Sequence, residues 1–91
     1  MSNRLDGKVA VITGSGRGIG RGIALALAQR GCAVAVNYLR RREEAEQTAA
    51  DLTALGVRSV LIKANVGNEE AVRSLVYQAA EALGGVDIFV G

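Results

Sequence analysis

Apolar residues change their spacing several times along the chain, and each change marks a predicted boundary between a strand and a helix. Four short runs are almost continuously apolar, which is typical of parallel strands buried on both faces. These runs are residues 8–13, 33–38, 59–64 and 86–90. Elsewhere, apolar residues recur at intervals of three and four, which predicts helices over residues 18–30 and 41–55 and a third helix after Asn68.

Each predicted helix has an apolar face and recognisable end residues. Gly31 and Gly56 are expected to end the first two helices. Asn68 is expected to cap the third helix, which Gly84 and Gly85 then end. The residues expected to face the sheet are Ile19, Ile23, Leu27 and the alanines between them in the first helix, Ala45, Ala49, Leu52 and Leu55 in the second, and Val72, Leu75, Val76, Ala79, Ala80 and Leu83 in the third.

The predicted order β-α-β-α-β-α-β indicates the fold class. Strands that alternate with helices through short loops form parallel sheets with right-handed crossovers. We therefore expect an α/β fold, a Rossmann-like doubly wound parallel sheet, of which the chain holds the N-terminal portion. Residues 1–91 are interpreted as one partial domain of this fold.

The composition excludes several classes of function. The formal net charge is +2, histidine is absent and Cys32 is the single cysteine, so neither an internal disulfide bond nor a Cys/His metal site is expected. The basic excess is too slight to indicate nucleic-acid binding. No apolar stretch reaches the roughly 20 residues that cross a bilayer, and residues 1–6 lack the apolar part of a secretion signal. We therefore expect no membrane partner and a cytoplasmic location. Cys32 is expected to pack as a small apolar side chain.

A glycine-rich loop separates the first predicted strand from the first predicted helix. Backbone N–H groups at a helix N-terminus favour a bound phosphate, and glycines let the backbone approach it closely. The loop is therefore predicted to hold the pyrophosphate of a dinucleotide. The expected binding residues are Gly14, Ser15, Gly16, Arg17, Gly18, Ile19 and Gly20.

The spacing of these glycines indicates which nucleotide-binding pattern the loop matches. The common G-x-G-x-x-G pattern does not fit, whereas T-G-x-x-x-G-x-G fits from Thr13 to Gly20. One alternative is a glycine-rich turn without a ligand. Another is a methyltransferase loop, which more often has closely spaced glycines after an acidic strand end. The strand before the loop and the helix after it favour nucleotide binding.

From Leu5 to Val90 the chain resembles the opening part of the short-chain dehydrogenase/reductase family. The resemblance rests on the loop Thr13–Gly20, on Ala64-Asn65-Val66 and on the last predicted strand, residues 86–90. It implies a nicotinamide dinucleotide cofactor and hydride transfer between that cofactor and a carbonyl, an alcohol or an activated double bond. It also implies that the parent protein is a homo-oligomer, a tetramer in this family.

The end of the second predicted strand indicates which dinucleotide binds. An acidic residue there usually binds the ribose hydroxyls of NAD, but this chain has Tyr38. Without a carboxylate to repel a 2′-phosphate, Arg17 in the loop and Arg40 or Arg41 after the strand can bind NADP(H). A solvated helix start is the alternative interpretation of each arginine in the run 40–42.

The family resemblance adds finer expectations. In the family, a basic residue at the position of Arg17 marks NADP-dependent members. The resemblance also implies that Asn65 contacts the adenine and that Val66 packs on its ring, although aspartate is commoner than asparagine at position 65. Asn37-Tyr38 and residues 63–67 look most like the acyl-carrier-protein reductases of fatty-acid biosynthesis, of the 3-oxoacyl or type III enoyl kind.

The catalytic residues of the family have no counterpart in this sequence. Members pair a tyrosine with a lysine four residues later, and a serine orients the substrate. Tyr38 and Tyr77 are followed at that spacing by Arg42 and Glu81, so no catalytic residue is assigned. We expect the chain alone to be inactive and the domain to be truncated after its fourth strand.

Three functional hypotheses remain at this stage. The first is a parent NADP(H)-dependent carbonyl or acyl-carrier-protein-linked acyl reductase, with this chain as its cofactor-binding part. The second is a non-catalytic nucleotide-binding module. The third is a truncated fragment that folds poorly and has no activity of its own. The substrate is not indicated, because the substrate loop of the family has no counterpart here.

Overall fold

The computed structural model describes residues 4–91. Residues 1–3, which belong to the segment predicted to lack a secretion signal, lie outside the described residues. Its four strands form one parallel sheet in the order β3-β2-β1-β4. Within residues 4–91, no helix combines the length and the hydropathy needed to span a membrane. The elements are β1 Val9–Ile12, α1 Gly18–Gln29, β2 Ala33–Tyr38, α2 Arg42–Ala54, β3 Ser59–Lys63, α3 Glu69–Leu83 and β4 Ile88–Val90.

Helices cover both faces of the sheet, and this explains the nearly continuous apolar runs of the central strands. Every residue of β1 and β2 is buried. On one face, the alternate residues of these strands pack against α1 and α2; on the other face, the remaining residues pack against α3. The predicted doubly wound α/β arrangement is therefore confirmed.

Small residues set the distance between the first two helices and the sheet. In α1 the fully buried positions are Ala24 and Ala28, and in α2 they include Ala45. A larger side chain at these positions would push the helix away from the strands, at a typical cost of about 1–3 kcal/mol. The α3 face uses larger residues, with Leu75 and Leu83 buried against the sheet.

Most helix ends lie where the sequence pattern places them. The Asn68 side chain accepts hydrogen bonds from the backbone N–H groups of Glu70 and Ala71, at 2.8 and 3.2 Å, which confirms the predicted cap. Gly84 has φ +89° at the end of α3 and ends that helix in the left-handed conformation. Each predicted helix boundary is therefore correct to within about two residues.

Three predicted core positions are wrong, and one of them, Ala26, lies on the exposed side of α1. Ile19 is 85% exposed, because the first turn of α1 stands beyond the carboxyl ends of the strands, beside the glycine loop. Leu55 is 43% exposed, because it follows the last helical residue of α2 and has left the inner face of that helix. Ala49 is half-buried, whereas Thr48, which the apolar pattern did not include, is fully buried.

Cys32 is fully buried in the cluster between the sheet and the first two helices, which confirms its predicted packing. Burial raises the pKa of the Cys32 thiol, and the negative charge of Asp87 adds to the rise. A buried thiol with a raised pKa reacts slowly, because it presents little thiolate to a reagent.

We predict that Cys32 reacts with a thiol reagent only in molecules that have opened. In the complete protein, its labelling rate with a chromogenic disulfide near pH 8 should rise with urea concentration in parallel with the unfolded fraction. Any other cysteine of the complete protein is replaced by alanine beforehand. Rapid labelling in the absence of urea, at a rate that urea does not change, would contradict the buried position.

Candidate functional site

The glycine loop between β1 and α1 is tied to the strands by a serine hydroxyl. The Ser15 hydroxyl is fully buried; it donates to the Ile12 carbonyl oxygen at 2.6 Å and accepts from the Asn37 backbone N–H at 3.0 Å. The Thr13 N–H donates to the Val90 carbonyl oxygen at 2.9 Å, which joins the loop to β4 as well. The Ser15 side chain therefore faces the sheet, and the whole residue, backbone included, is buried.

The side chain of Asn37 on β2 also holds the glycine loop. Its side-chain oxygen accepts the Gly14 N–H at 3.0 Å, and its NH₂ group donates to the carbonyl oxygens of Ile62 and Ala64 at 3.3 and 3.2 Å. Only 2% of Asn37 is exposed. One side chain on β2 thus links the loop after β1 to the end of β3. The sequence interpretation did not assign this role, although a polar residue in an otherwise apolar buried strand was the available signal.

Two kinds of constraint explain the glycines of the loop. Gly14 and Gly18 have φ values of +61° and +62°, which a residue with a side chain adopts only with strain. Gly16 and Gly20 are needed for close approach. A Cβ atom on Gly16 would lie 3.2 Å from the Cβ atom of Ala45 on α2, and one on Gly20 would collide with the carbonyl oxygen of Gly14. The glycine pattern therefore serves the turn and the packing of both α1 and α2 against the loop.

The N-terminus of α1 has no side-chain cap and no acidic residue in its first turn. Arg17 occupies the N-cap position in an extended conformation, with φ −160°. The first backbone N–H groups of the helix therefore remain available to donate to another partner, and the helix dipole adds positive potential at the same point. Exposed Ile19 lies beside these donors. This arrangement suits an anion in contact with the backbone.

A polar network centred on α2 supports the glycine loop and joins it to α1. The Thr48 hydroxyl donates to the Gly16 carbonyl oxygen at 2.8 Å. Arg21 of α1 donates to the Thr48 hydroxyl oxygen at 3.0 Å and forms an ion pair with Asp51. Gln47 donates to the other oxygen of Asp51 at 3.0 Å. The network joins both helices to the loop, and the sequence interpretation missed it because each residue alone looks like an ordinary solvated helix position.

A cleft opens where the loop meets the end of β2, and it brings together several of the predicted site residues. Its volume is about 340 Å³. Tyr38 is buried, and its hydroxyl accepts from Arg42 at 2.6 Å, with the guanidinium 5.8 Å from the ring centre. The residues that line the cleft are Gly14, Gly16, Arg17, Asn37, Tyr38, Leu39, Arg40 and Arg41.

Six predicted site residues lie outside this cleft: Ser15, Gly18, Ile19 and Gly20 at the loop and the start of α1, and Asn65 and Val66 after β3. Asn65 and Val66 follow β3 at the same edge of the sheet, and both are exposed. The Asn65 side-chain oxygen accepts the Gly67 N–H at 3.0 Å, which shapes the turn that leads to α3. Val66 is 41% exposed. They are connected to the cleft through Ala64, whose carbonyl oxygen is bound by Asn37.

The sheet order, the helices on both faces and the glycine loop after the first strand define the class of Rossmann-like α/β proteins. The family model described as short chain dehydrogenase matches residues 8–91. The chain therefore belongs to the short-chain dehydrogenase family, whose members are oxidoreductases.

Over the matched segment, two named relatives have the same residue as this chain at about half of the positions. A versicolorin reductase of Emericella nidulans is 51% identical over 85 residues, which are 93% of this chain and 32% of the relative. A tetrahydroxynaphthalene reductase of Pyricularia oryzae is 44% identical over 87 residues, which are 96% of this chain and 31% of the relative. The chain thus spans about a third of the length of these relatives.

Solved structures agree with the fold and differ in the cofactor that their descriptions name. A short chain dehydrogenase from Burkholderia cenocepacia in complex with NADP has a TM-score of 0.91 and 46% identity, over 96% of this chain and 36% of that protein. A 7α-hydroxysteroid dehydrogenase complexed with NADH has a TM-score of 0.87 and 35% identity, over 94% of this chain and 33% of that protein. The fold alone therefore does not choose between the two dinucleotides.

We predict that Asn37→Asp destabilises the complete protein at neutral pH by at least about 2 kcal/mol. The new carboxylate oxygen would face the carbonyl oxygens of Ile62 and Ala64, to which the NH₂ group now donates. Urea unfolding measures the difference. Asn65→Asp is the control, because it makes the same change in an exposed turn where only an acceptor is used. Equal losses of stability in the two variants would contradict the role assigned to Asn37.

The Asp51 ion pair should make stability depend on pH. The Arg21 guanidinium, followed by the Gln47 amide, holds the pKa of the Asp51 carboxyl below its ordinary value of 3.8. A depressed pKa in the folded state stabilises the protein above the unfolded-state pKa, and this contribution is lost as pH falls through the folded-state pKa.

We therefore predict that Asp51→Asn lowers the melting temperature of the complete protein at pH 7. The difference from the wild type should narrow as pH falls below about 4, because protonated Asp51 then resembles the amide. Calorimetry at a series of pH values measures both curves. A difference that stays constant down to pH 3 would show that the charge of Asp51 contributes nothing.

Proposed function

We propose that residues 4–91 form the cofactor-binding part of an NADP(H)-dependent reductase. The observation that carries the proposal is the gathering of Arg17, Arg40 and Arg41 around one cleft, directly beside the uncapped N-terminus of α1. This places three cations next to a set of free backbone donors at the carboxyl ends of the strands. In open α/β sheets, ligands bind at this edge.

The loop fits a pyrophosphate group. Backbone N–H groups at the start of α1 supply donors, and Gly14 and Gly18, where a Cβ atom would enter open space, leave no side chain between them and a ligand. Gly14, Gly16, Gly18 and Gly20 are the binding groups that we assign, and buried Ser15 holds the loop that presents them. Exposed Ile19 borders the same surface and would contact the ligand through its apolar side chain.

The arginines favour NADP(H) over NAD(H). None of the residues that line the cleft is acidic, and Tyr38 stands where an acidic residue would bind the ribose hydroxyls of NAD. One hydrogen bond to a charged group contributes about 1.5–3 kcal/mol, which corresponds to a roughly tenfold to hundredfold preference. We assign the adenine to the side of the cleft near Asn65 and Val66, which follow the neighbouring strand β3.

The bound nicotinamide supplies or accepts a hydride, and the residues of this chain bind and orient the dinucleotide. Reduction is the direction we propose, because the relatives are named reductases. Tyr38 has its hydroxyl engaged by Arg42 and has no lysine four residues later, so the proton donor is assigned to residues beyond this portion. The substrate class of the complete protein is a carbonyl compound in this proposal. An acyl-carrier-protein-linked substrate, the tetrameric assembly and the cytoplasmic location stay predictions from the sequence.

The alternative is a nucleotide-binding module without catalysis, which would use the same loop and cleft. The two functions differ in a simple measurement on the complete protein. Oxidation of NADPH in the presence of aromatic and aliphatic ketones would support the reductase. Saturable binding of NADPH without turnover of any carbonyl substrate would support the module.

We predict that Arg17→Ala weakens NADPH binding to the complete protein about tenfold or more and leaves NADH binding within about twofold. The reason is that the side chain lines the cleft and carries the charge proposed to meet the 2′-phosphate. Fluorescence titration of the two reduced cofactors measures both dissociation constants.

The matched control is Arg73→Ala. Arg73 is an exposed arginine on α3 that pairs with Glu69, and its loss should change neither constant. The cofactor assignment is wrong if the wild type binds both cofactors equally. A parallel loss for both cofactors in Arg17→Ala would move the contact of Arg17 to the pyrophosphate.

A further inference from the structure

A carboxylate stands between two of the cations that the proposed function assigns to the 2′-phosphate. Glu44 is the third residue of α2, and its two oxygens face different arginines. One oxygen lies 3.9 Å from Nε of Arg17, and the other lies 3.5 Å from Nη1 of Arg41. Both arginines line the cleft beside the glycine loop. Glu44 is therefore the carboxylate that pairs with two of the arginines proposed to meet the 2′-phosphate.

The backbone of Glu44 is held close to the loop. The Thr48 hydroxyl, which bonds to the Gly16 carbonyl oxygen, also lies 3.1 Å from the carbonyl oxygen of Glu44. The next residue, Ala45, is fully buried against Gly16. The first turn of α2 thus cannot move away from the loop without breaking these contacts, and the Glu44 carboxylate remains within reach of the cleft.

The geometry points to Glu44 as a specificity-determining residue that lowers the affinity of the cleft for a 2′-phosphate. The inference rests on the proposed function. Without ligand, the carboxylate is the counter-ion of Arg17 and Arg41. A phosphate that binds these arginines must share them with Glu44, which repels its two negative charges. NAD(H), which has no 2′-phosphate, does not meet this competition.

The exposure of the three side chains sets the size of the effect. The side chains of Arg17, Glu44 and Arg41 are 62%, 45% and 59% exposed, so both ion pairs are solvated and weak. Exposed pairs are also screened by salt. Removal of the carboxylate should therefore change NADPH affinity by about three- to tenfold at low ionic strength.

The test is cofactor titration of the complete protein with Glu44→Gln. We expect the dissociation constant for NADPH to fall about three- to tenfold in dilute buffer, while that for NADH stays within about twofold. The gain should shrink when the titration is repeated at 0.5 M salt. Glu44→Ala should show the same direction, since the effect depends on charge and not on the shape of the side chain. Melting curves verify that both variants fold.

The matched control is Glu43→Gln. Glu43 lies in the same first turn of α2, so its replacement makes the same change in net charge and in the field at the helix start. No ion pair within residues 4–91 includes Glu43, and the variant should leave the constants for both cofactors unchanged. An equal gain in Glu43→Gln would overturn the inference, because the effect would then come from general charge.

The other outcomes are also decisive. Unchanged or weaker NADPH binding in both Glu44 variants would overturn the inference and show that the carboxylate positions the arginines without competing for them. Failure of the proposed function has a different signature, because the wild type would then bind NADPH and NADH equally and Arg17→Ala would not separate them. That result removes the inference together with the cofactor assignment.

Discussion

The hydrogen bonds of Asn37 are the interaction on which the rest of the site depends. The side chain is buried at the end of β2 and joins three segments that are distant in sequence: the loop after β1, its own strand and the end of β3. A buried amide must satisfy its donors and acceptor or lose free energy, so these bonds are specific in geometry. They fix the loop against the sheet before any ligand binds.

A loop held in this way can present its backbone without reorganising. The Ser15 hydroxyl anchors the loop to β1 and β2, and the Thr48 hydroxyl supports the Gly16 carbonyl from α2. The N–H groups at the start of α1 are left for an external partner, because no side chain caps them. Binding energy from an anion is then not spent on ordering the loop.

The positive charge at the cleft is partly offset by one carboxylate. Three arginines line the cleft, and the carboxylate that pairs with two of them belongs to a helix turn that packs on the same loop. Specificity is a difference between affinities, so a repulsive group near a cationic site can tune it as much as an attractive one. The family includes solved structures with either NADP or NADH, and local charges of this kind are how one fold can distinguish them.

The sequence by itself determined the order of the elements, the parallel doubly wound sheet and the position of the glycine loop, because these depend on short-range periodicity and on turn residues. It also predicted that Arg17, Tyr38, Arg40 and Arg41 lie at one edge of the sheet, since the carboxyl ends of parallel strands meet there. Tertiary structure alone decided which side chains hold the loop. Asn37, Thr48 and Arg21 act through partners more than 20 residues away, and no local pattern encodes such contacts. For the same reason Ile19, which fits the apolar period of α1, is exposed: burial depends on whether a strand lies beneath the residue, and at the first turn of α1 the strands have ended.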